Sequence, residues 1–285
     1  MGRRALRSTL TRQVGGGLAT IAPDPDLAKG WVLLIDGTQQ SHVDLADPTR
    51  LAFEYMRRIG HVIDLMPPGP VRAVHLGGGA MALARYTSAT RARSRNLVVE
   101  SDADLVELVR EHLPWPREYR IRVRGADARE ALGTLSDGSA DLVILDVFAS
   151  ARTPGPLTTA QAFAEVRRTL GPGGVFVANI ADEAPLAYAR RFTAGVRTAF
   201  PEVLVAAEPA VLRGRRFGNL IVVAGAGPSE PVDAAVLTRR CAADPWPARV
   251  LHGRDIDAFV GDHRPFDDAS APGSPQPPAG IFGGW

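Results

Sequence analysis

Val71-Arg72-Ala73-Val74-His75-Leu76-Gly77-Gly78-Gly79 reads as a short apolar strand that runs straight into three glycines. An apolar run of this length suits a strand buried on both faces of a parallel sheet. Glycines placed directly after it let the backbone come close to a ligand, because no Cβ intervenes. Pro67-Pro68-Gly69-Pro70 leads the strand in, and a helical segment is expected from about Met81. Strand, glycine turn and helix in that order open a βαβ unit.

The same alternation continues downstream. Apolar strands are expected at 97–99, ending in Glu100, at 121–123, followed by Gly125-Ala126-Asp127-Ala128, at 142–145, ending in Asp146, and at 175–180. Helices are expected at 104–113, with Leu105, Leu108, Val109 and Leu113 inward, at 159–170 and at 186–200. Gly171-Pro172-Gly173-Gly174 suits a left-handed cap on the second of these. Two late strands follow at 203–207 and 220–224. Upstream, Leu51, Tyr55, Ile59 and Val62 are spaced for one buried face of a helix over 49–65. Strand-like runs at 18–22, 31–36 and 39–45, with Asp36-Gly37 at a turn, suggest a small antiparallel sheet in front.

The expected fold is therefore α/β, with an open parallel sheet over 46–268 behind a small N-terminal β-hairpin domain over 14–45. Residues 269–285 are rich in Pro, Gly, Ala and Ser and are expected to be disordered or laid along the surface.

Composition excludes several classes. A formal net charge of +2 gives no electrostatic case for nucleic acid or membrane. The basic residues are arginines apart from Lys29 and are scattered. Cys241 is the one cysteine, so no internal disulfide forms and a reducing compartment is expected. No stretch reaches the ~18 apolar residues of a membrane span. The basic stretch 1–12 is not followed by an apolar run, so no secretory signal is expected and the chain reads as soluble and cytoplasmic.

The chemistry is expected at the strand ends, since open parallel sheets bind ligands outside the carboxyl ends of their strands. Glu100, Asp127 and Asp146 each end or follow a different strand, and the glycines follow the first. An acid about 20 residues beyond the glycines is placed to accept both hydroxyls of a ribose. Asp127 is placed to accept from an adenine amino group. Each feature alone has a plain structural reading: glycines tighten βα turns, and an acid at a strand end caps the next helix. Four in register point to a nucleotide-like ligand. Gly77-Gly78-Gly79-Ala80-Met81-Ala82-Leu83 lacks the third glycine of the dinucleotide fingerprint, so no pyrophosphate site is indicated.

With those residues in view, the series Leu76-Gly77-Gly78-Gly79, Val98-Val99-Glu100-Ser101-Asp102, Gly125-Ala126-Asp127-Ala128 and Asp141-Leu142-Val143-Ile144-Leu145-Asp146 resembles the motifs of the spermidine synthase (polyamine aminopropyltransferase) family. Leu34-Ile35-Asp36-Gly37 followed by Gln40 resembles that family's N-terminal β-hairpin domain. The likeness covers about 30–225 and is strongest to the actinobacterial-type spermidine-synthase-like proteins. It implies a seven-stranded Rossmann-like class I methyltransferase sheet and a donor that is decarboxylated S-adenosylmethionine or S-adenosylmethionine. It further implies that Gln40 and the Gly77, Gly78 and Gly79 turn meet the donor, Glu100 the ribose, and Asp127 and Ala128 the adenine. Asp146 is implied to take the proton from the attacking amine. Two positions depart from the family: Ala80 stands where an aspartate holds the donor's amino group, and Asp146-Val147-Phe148-Ala149 replaces an Asp-Ser-x-Asp segment.

Aminopropyl transfer to an amine is the activity this implies. An S-adenosylmethionine-dependent methyl or alkyl transferase and a catalytically silent adenosyl-binding protein are the alternatives. The expected partners are a small-molecule substrate, an amine in the family reading, and a second copy of the chain as a homodimer. No metal is expected, because His42, His61, His75, His112, His252 and His263 are dispersed. His75 reads as a core residue, and His42 is read as lining the pocket or as surface. No Gly-x-Ser-x-Gly elbow appears. Arg213-Gly214-Arg215-Arg216 reads as a hairpin tip, and 262–268 as a surface loop that reaches back toward the pocket mouth or stays clear of it.

Overall fold

In the computed structural model, residues 8–148, 152–227 and 232–278 are described. Strands β1 (Leu10–Val14), β2 (Gly17–Pro23), β3 (Gly30–Ile35) and β4 (Thr38–Asp44) pair antiparallel in chain order. The front sheet thus begins one strand earlier than its sequence suggests. Leu10-Thr11-Arg12-Gln13-Val14 carries three polar residues, so its apolar alternation is faint. Asp36 and Gly37 make the β3–β4 turn with φ of 47° and 75°, and Asp36 Oδ1 accepts from Leu18 N at 2.8 Å.

The second sheet holds β5 (Arg72–Leu76), β6 (Arg95–Glu100), β7 (Ile121–Gly125), β8 (Ala140–Leu145), β9 (Leu170–Asp182), β10 (Glu202–Ala207), β11 (Gly218–Gly225) and β12 (Arg249–Leu251). Their order is β12-β10-β11-β9-β8-β5-β6-β7. The five strands β5 to β9 run parallel, and β10, β11 and β12 enter through antiparallel pairings. The sheet therefore has eight strands among the described residues, not seven. The extra one is the three-residue edge strand β12, too short to leave a periodic signal, which pairs Val205 with Leu251 and Ala207 with Arg249. From β5 the chain moves outward to β6 and β7, then returns to β8 on the other side of β5, so the β5–β8 junction is the switch point.

Helices α1 (Glu54–Leu65), α2 (Ala82–Thr90), α3 (Ala103–His112), α4 (Ala128–Thr134), α5 (Ala160–Thr169), α6 (Ala187–Ala199), α7 (Pro209–Leu212), α8 (Ala234–Ala242) and α9 (Arg254–Val260) cover the sheet. Successive strand residues point to opposite faces, and the core divides accordingly. Leu142 and Ile144 of β8, with Ile221 and Val223 of β11, pack under α1, α2, α3 and α8. Val143 and Leu145, with Leu220 and Val222, pack under α4, α5, α6 and α9. Phe163 and Phe192 meet edge to face there, with centroids 4.9 Å apart.

Two local expectations change and a third narrows. Helix α1 starts at Glu54, not at 49, because Asp47 and Pro48 set a turn in which Arg50 N donates to Asp47 O at 3.1 Å. Helix α5 passes directly into β9 at Leu170, so its end is an extended residue and the 171–174 glycines lie inside the strand. Residues 269–278, expected to be disordered or laid along the surface, take the second course and are held against the segment before α5: Ser274 is buried, and its N–H donates to Thr153 O at 3.0 Å. Paired backbone groups replace the apolar burial that this composition lacks. The rest of the tail, 279–285, lies outside the described residues.

Candidate active site

The glycine turn is shaped by its neighbours. Gly77 has φ of 93°, and a Cβ there would lie 2.2 Å from the Asp146 carbonyl oxygen. Its N–H donates to Val99 O at 2.9 Å, while Asp146 N donates to Leu76 O at 2.9 Å. The turn is thereby clasped between β6 and β8. Gly79 and Met81 also have positive φ, 47° and 62°, which carries the chain sharply into α2.

The acidic residues grip that frame. Glu100 Oε2 accepts from Gly78 N at 2.9 Å, and Oε1 accepts from Asp102 N at 3.1 Å. Asp102 caps α3 through Leu105 N at 3.0 Å and accepts from Gly16 N at 2.9 Å, tying the β1–β2 turn to the large sheet. Asp127 caps α4, its Oδ1 accepting from Arg129 N at 2.7 Å and Glu130 N at 3.1 Å. The capping role and a place in the cavity coexist, since Oδ2 accepts no hydrogen bond among the described residues.

Asp146 differs from these. Its Oδ1 accepts from Asn179 Nδ2 at 2.9 Å, and the Tyr55 hydroxyl is its second partner. Burial pushes the carboxyl up to about 6, against the opposing pull of the Asn179 and Tyr55 hydrogen bonds. Tyr55 in turn is raised well above the ordinary phenol range by burial and then by the Asp146 charge. One carboxyl is thus held by side chains from α1 and β9 and poised to exchange a proton near neutrality.

A cavity of about 740 Å³ opens at the switch point, within the range of small-molecule sites. Gln40, Gly77, Gly78, Gly79, Glu100, Asp127, Ala128 and Asp146 all line it. Every residue expected from sequence at the site is therefore on one cavity. Sequence reading gives no role to Tyr55, Asn179, Asp102 or Gln276. Tyr55 reads as one more residue of a buried helical stripe. Asn179 leaves the clearest trace, a lone amide inside the apolar run of β9, where a polar group needs a reason. Its Oδ1 is buried without a partner among the described residues.

Other residues settle elsewhere. His75 lines the cavity wall but is core-like: burial lowers it to about 4, and Nε2 lies 3.0 Å from Asn96 Oδ1. His42 is off the cavity, buried with Nε2 2.8 Å from Asp24 Oδ2. Ala80 is fully buried and does not line the cavity. Phe148 does line it, while Ala149 lies outside the described residues. Cys241 is buried, which pushes its thiol up to about 11. Arg213-Gly214-Arg215-Arg216 lies in the β10–β11 connection, with Arg216 paired to Glu208 at 2.5 Å. Residues 262–268 stay clear of the cavity wall, and Gln276 reaches it instead. Among the described residues no cluster of three metal-ligating side chains occurs, and no helix is long and apolar enough to cross a membrane.

This sheet order, with a glycine turn and an acid after successive strands, defines an α/β Rossmann-like class I methyltransferase fold, and residues 74–178 match the family model for a methyltransferase domain. The chain is similar in structure to a probable spermidine synthase from Corynebacterium glutamicum, with a TM-score of 0.85 and 33% identity, covering 93% of this chain and 98% of that one. The chain belongs to the spermidine synthase (polyamine aminopropyltransferase) family. The polyamine aminopropyltransferase of Chromobacterium violaceum is 29% identical over 147 residues, 50% of this chain and 54% of the relative. That of Aeropyrum pernix is 30% identical over 158 residues, 52% and 48% of the two chains. This chain thus spans about half the length of the curated relatives it matches.

Proposed function

We propose that the cavity binds an adenosyl sulfonium donor and that the chain transfers the donor's aminopropyl group to an amine. The observation that carries this reading is Asp146: a carboxyl raised to about 6, on a cavity whose other acids are engaged by backbone N–H groups. The neutral amine nitrogen attacks the carbon beside the sulfonium. The C–S bond breaks, its electrons neutralise the sulfur, and the proton of the new ammonium passes to Asp146. Asp146 is ionised above about pH 6 and so is available as a base at neutral pH. The sulfonium is already a good leaving group, so holding the two reactants in line supplies most of what remains.

The residues present fit the donor. Glu100 uses one lone pair of each oxygen on backbone amides and keeps the others for ribose hydroxyls. Asp127 keeps Oδ2 for the adenine amino group, and the backbone at 77–79 admits close approach. Decarboxylated S-adenosylmethionine is the donor in this reading. Methyl transfer from intact S-adenosylmethionine is the second reading, favoured by one observation, the match of residues 74–178 to the methyltransferase domain model. Incubation with each donor and a panel of amines, putrescine included, with mass-spectrometric detection of the aminopropylated or methylated product, decides between them. Absence of any product alongside measurable donor binding leaves the silent adenosyl-binding reading in place of both.

A further inference from the structure

The segment from Phe266 to Gln276 is fastened to the domain at two anchors and meets the cavity wall at Gln276. At the first, Phe266 bridges to Thr159, and Asp268 accepts from Thr159 Oγ1 at 2.6 Å and pairs with Arg129 at 3.2 Å. Arg129 stands two residues after Asp127. At the second, Ser274 Oγ accepts from Thr153 N at 2.9 Å, and Arg152 donates to the carbonyls of Gly273 and Ser274. The fit is close: a Cβ on Gly155 would lie 2.2 Å from Ala271 O. Two residues beyond the second anchor, Gln276 is exposed on the cavity wall, to which Asp127, Pro154 and Leu157 also belong. The segment therefore spans from the α4 N-terminus, where Asp127 sits, to the stretch leading into α5.

We propose that Gln276 reads the adenine edge of the bound adenosyl ligand, a proposal that rests on the adenosyl reading above. Adenine presents an amino donor next to ring-nitrogen acceptors, and a primary amide answers both at once. An ionised aspartate only accepts, so Asp127 takes the amino group but cannot donate to a ring nitrogen. Gln276 supplies a side-chain donor beside Asp127, and its own carbonyl accepts from the amino group. The C-terminal segment is thus part of the base pocket, and its anchors serve to place one amide.

Isothermal titration of 5′-methylthioadenosine and 5′-methylthioinosine into wild type, Gln276→Ala and a chain ended at Pro275 tests this. Hypoxanthine lacks the amino donor, so the wild type should prefer the adenine ligand. In both variants affinity for 5′-methylthioadenosine should fall about tenfold, as for a lost bidentate pair. Gln276 is exposed and both anchors survive in both variants, so folding is not at stake. No loss of affinity for 5′-methylthioadenosine in either variant overturns the proposal while leaving the adenosyl reading intact. Failure of wild type to bind 5′-methylthioadenosine overturns the adenosyl reading itself, and the assignment of Gln276 falls with it.

Discussion

Replacing Asp146 by Asn keeps the shape of the side chain and removes its charge, and the structure predicts opposite effects on stability and on rate. In the unfolded chain this carboxyl titrates near the ordinary 3.8, whereas in the fold burial raises it to about 6. Below about pH 4 it is protonated in both states and burial of the charge costs nothing. Between those values the folded state keeps a proton that the unfolded state has lost, and stability falls as pH rises. Above about pH 6 both states are ionised and the whole cost is present. At about 1.4 kcal/mol for each pH unit the cost is about 3 kcal/mol, reduced to roughly 2 kcal/mol by water in the open cavity. An uncharged amide at this position incurs none of that penalty, and its oxygen still accepts from Asn179. The Asp146→Asn variant should therefore melt about 4–8 °C above wild type at about pH 8, with the difference gone at about pH 4. Turnover should fall about 10²–10⁴-fold, with donor affinity little changed, as expected for loss of a general base. Thermal melts from about pH 4 to pH 8 on both proteins, with rates and donor titrations at the upper end, read all of this. A variant that is less stable than wild type at the upper end and retains full rate would assign Asp146 to holding Tyr55 and Asn179, and the catalytic role would be withdrawn.

Wild-type rate should fall as pH drops through about 6, following protonation of Asp146, and a flat profile from about pH 5 to 8 contradicts its role as base. Glu100→Ala frees the Gly78 and Asp102 N–H groups as well as the ribose, so adenosyl affinity should drop by about 1.5–3 kcal/mol in calorimetry; unchanged affinity with an intact circular dichroism spectrum ends that assignment. Gly77→Ala meets the Asp146 carbonyl at φ of 93°, so a loss of about 1–3 kcal/mol in denaturant unfolding is expected, together with loss of rate. Ala80→Asp places a carboxylate at a fully buried position off the cavity, so it should cost about 1–3 kcal/mol of stability without retuning donor choice. An unchanged melting temperature with preference moved toward the decarboxylated donor would show that this side chain reaches the ligand.

The sequence alone carries the order of strands and helices, the glycine turn and the acids at the strand ends, because these depend on short-range periodicity and on the steric freedom of glycine. Those signals suffice to single out Glu100, Asp127 and Asp146, the family resemblance adds Gln40 and Ala128, and the fold gathers all five on one cavity. Signals too short or too polar are lost, as at β1 and β12. What only the tertiary structure decided is the environment of each group. Tyr55, Asp146 and Asn179 are far apart in the chain, and their meeting exists only where α1, β8 and β9 pack. The raised carboxyl at Asp146 follows from the same packing, since desolvation is set by every atom around a charge and by no single neighbour in sequence. His42 reads equally well as pocket or surface until β3 and β4 pair and bury it against Asp24. Residues 269–278 read from their composition as disordered or laid along the surface, and they are held there by hydrogen bonds between Ser274 and Thr153, more than a hundred residues earlier.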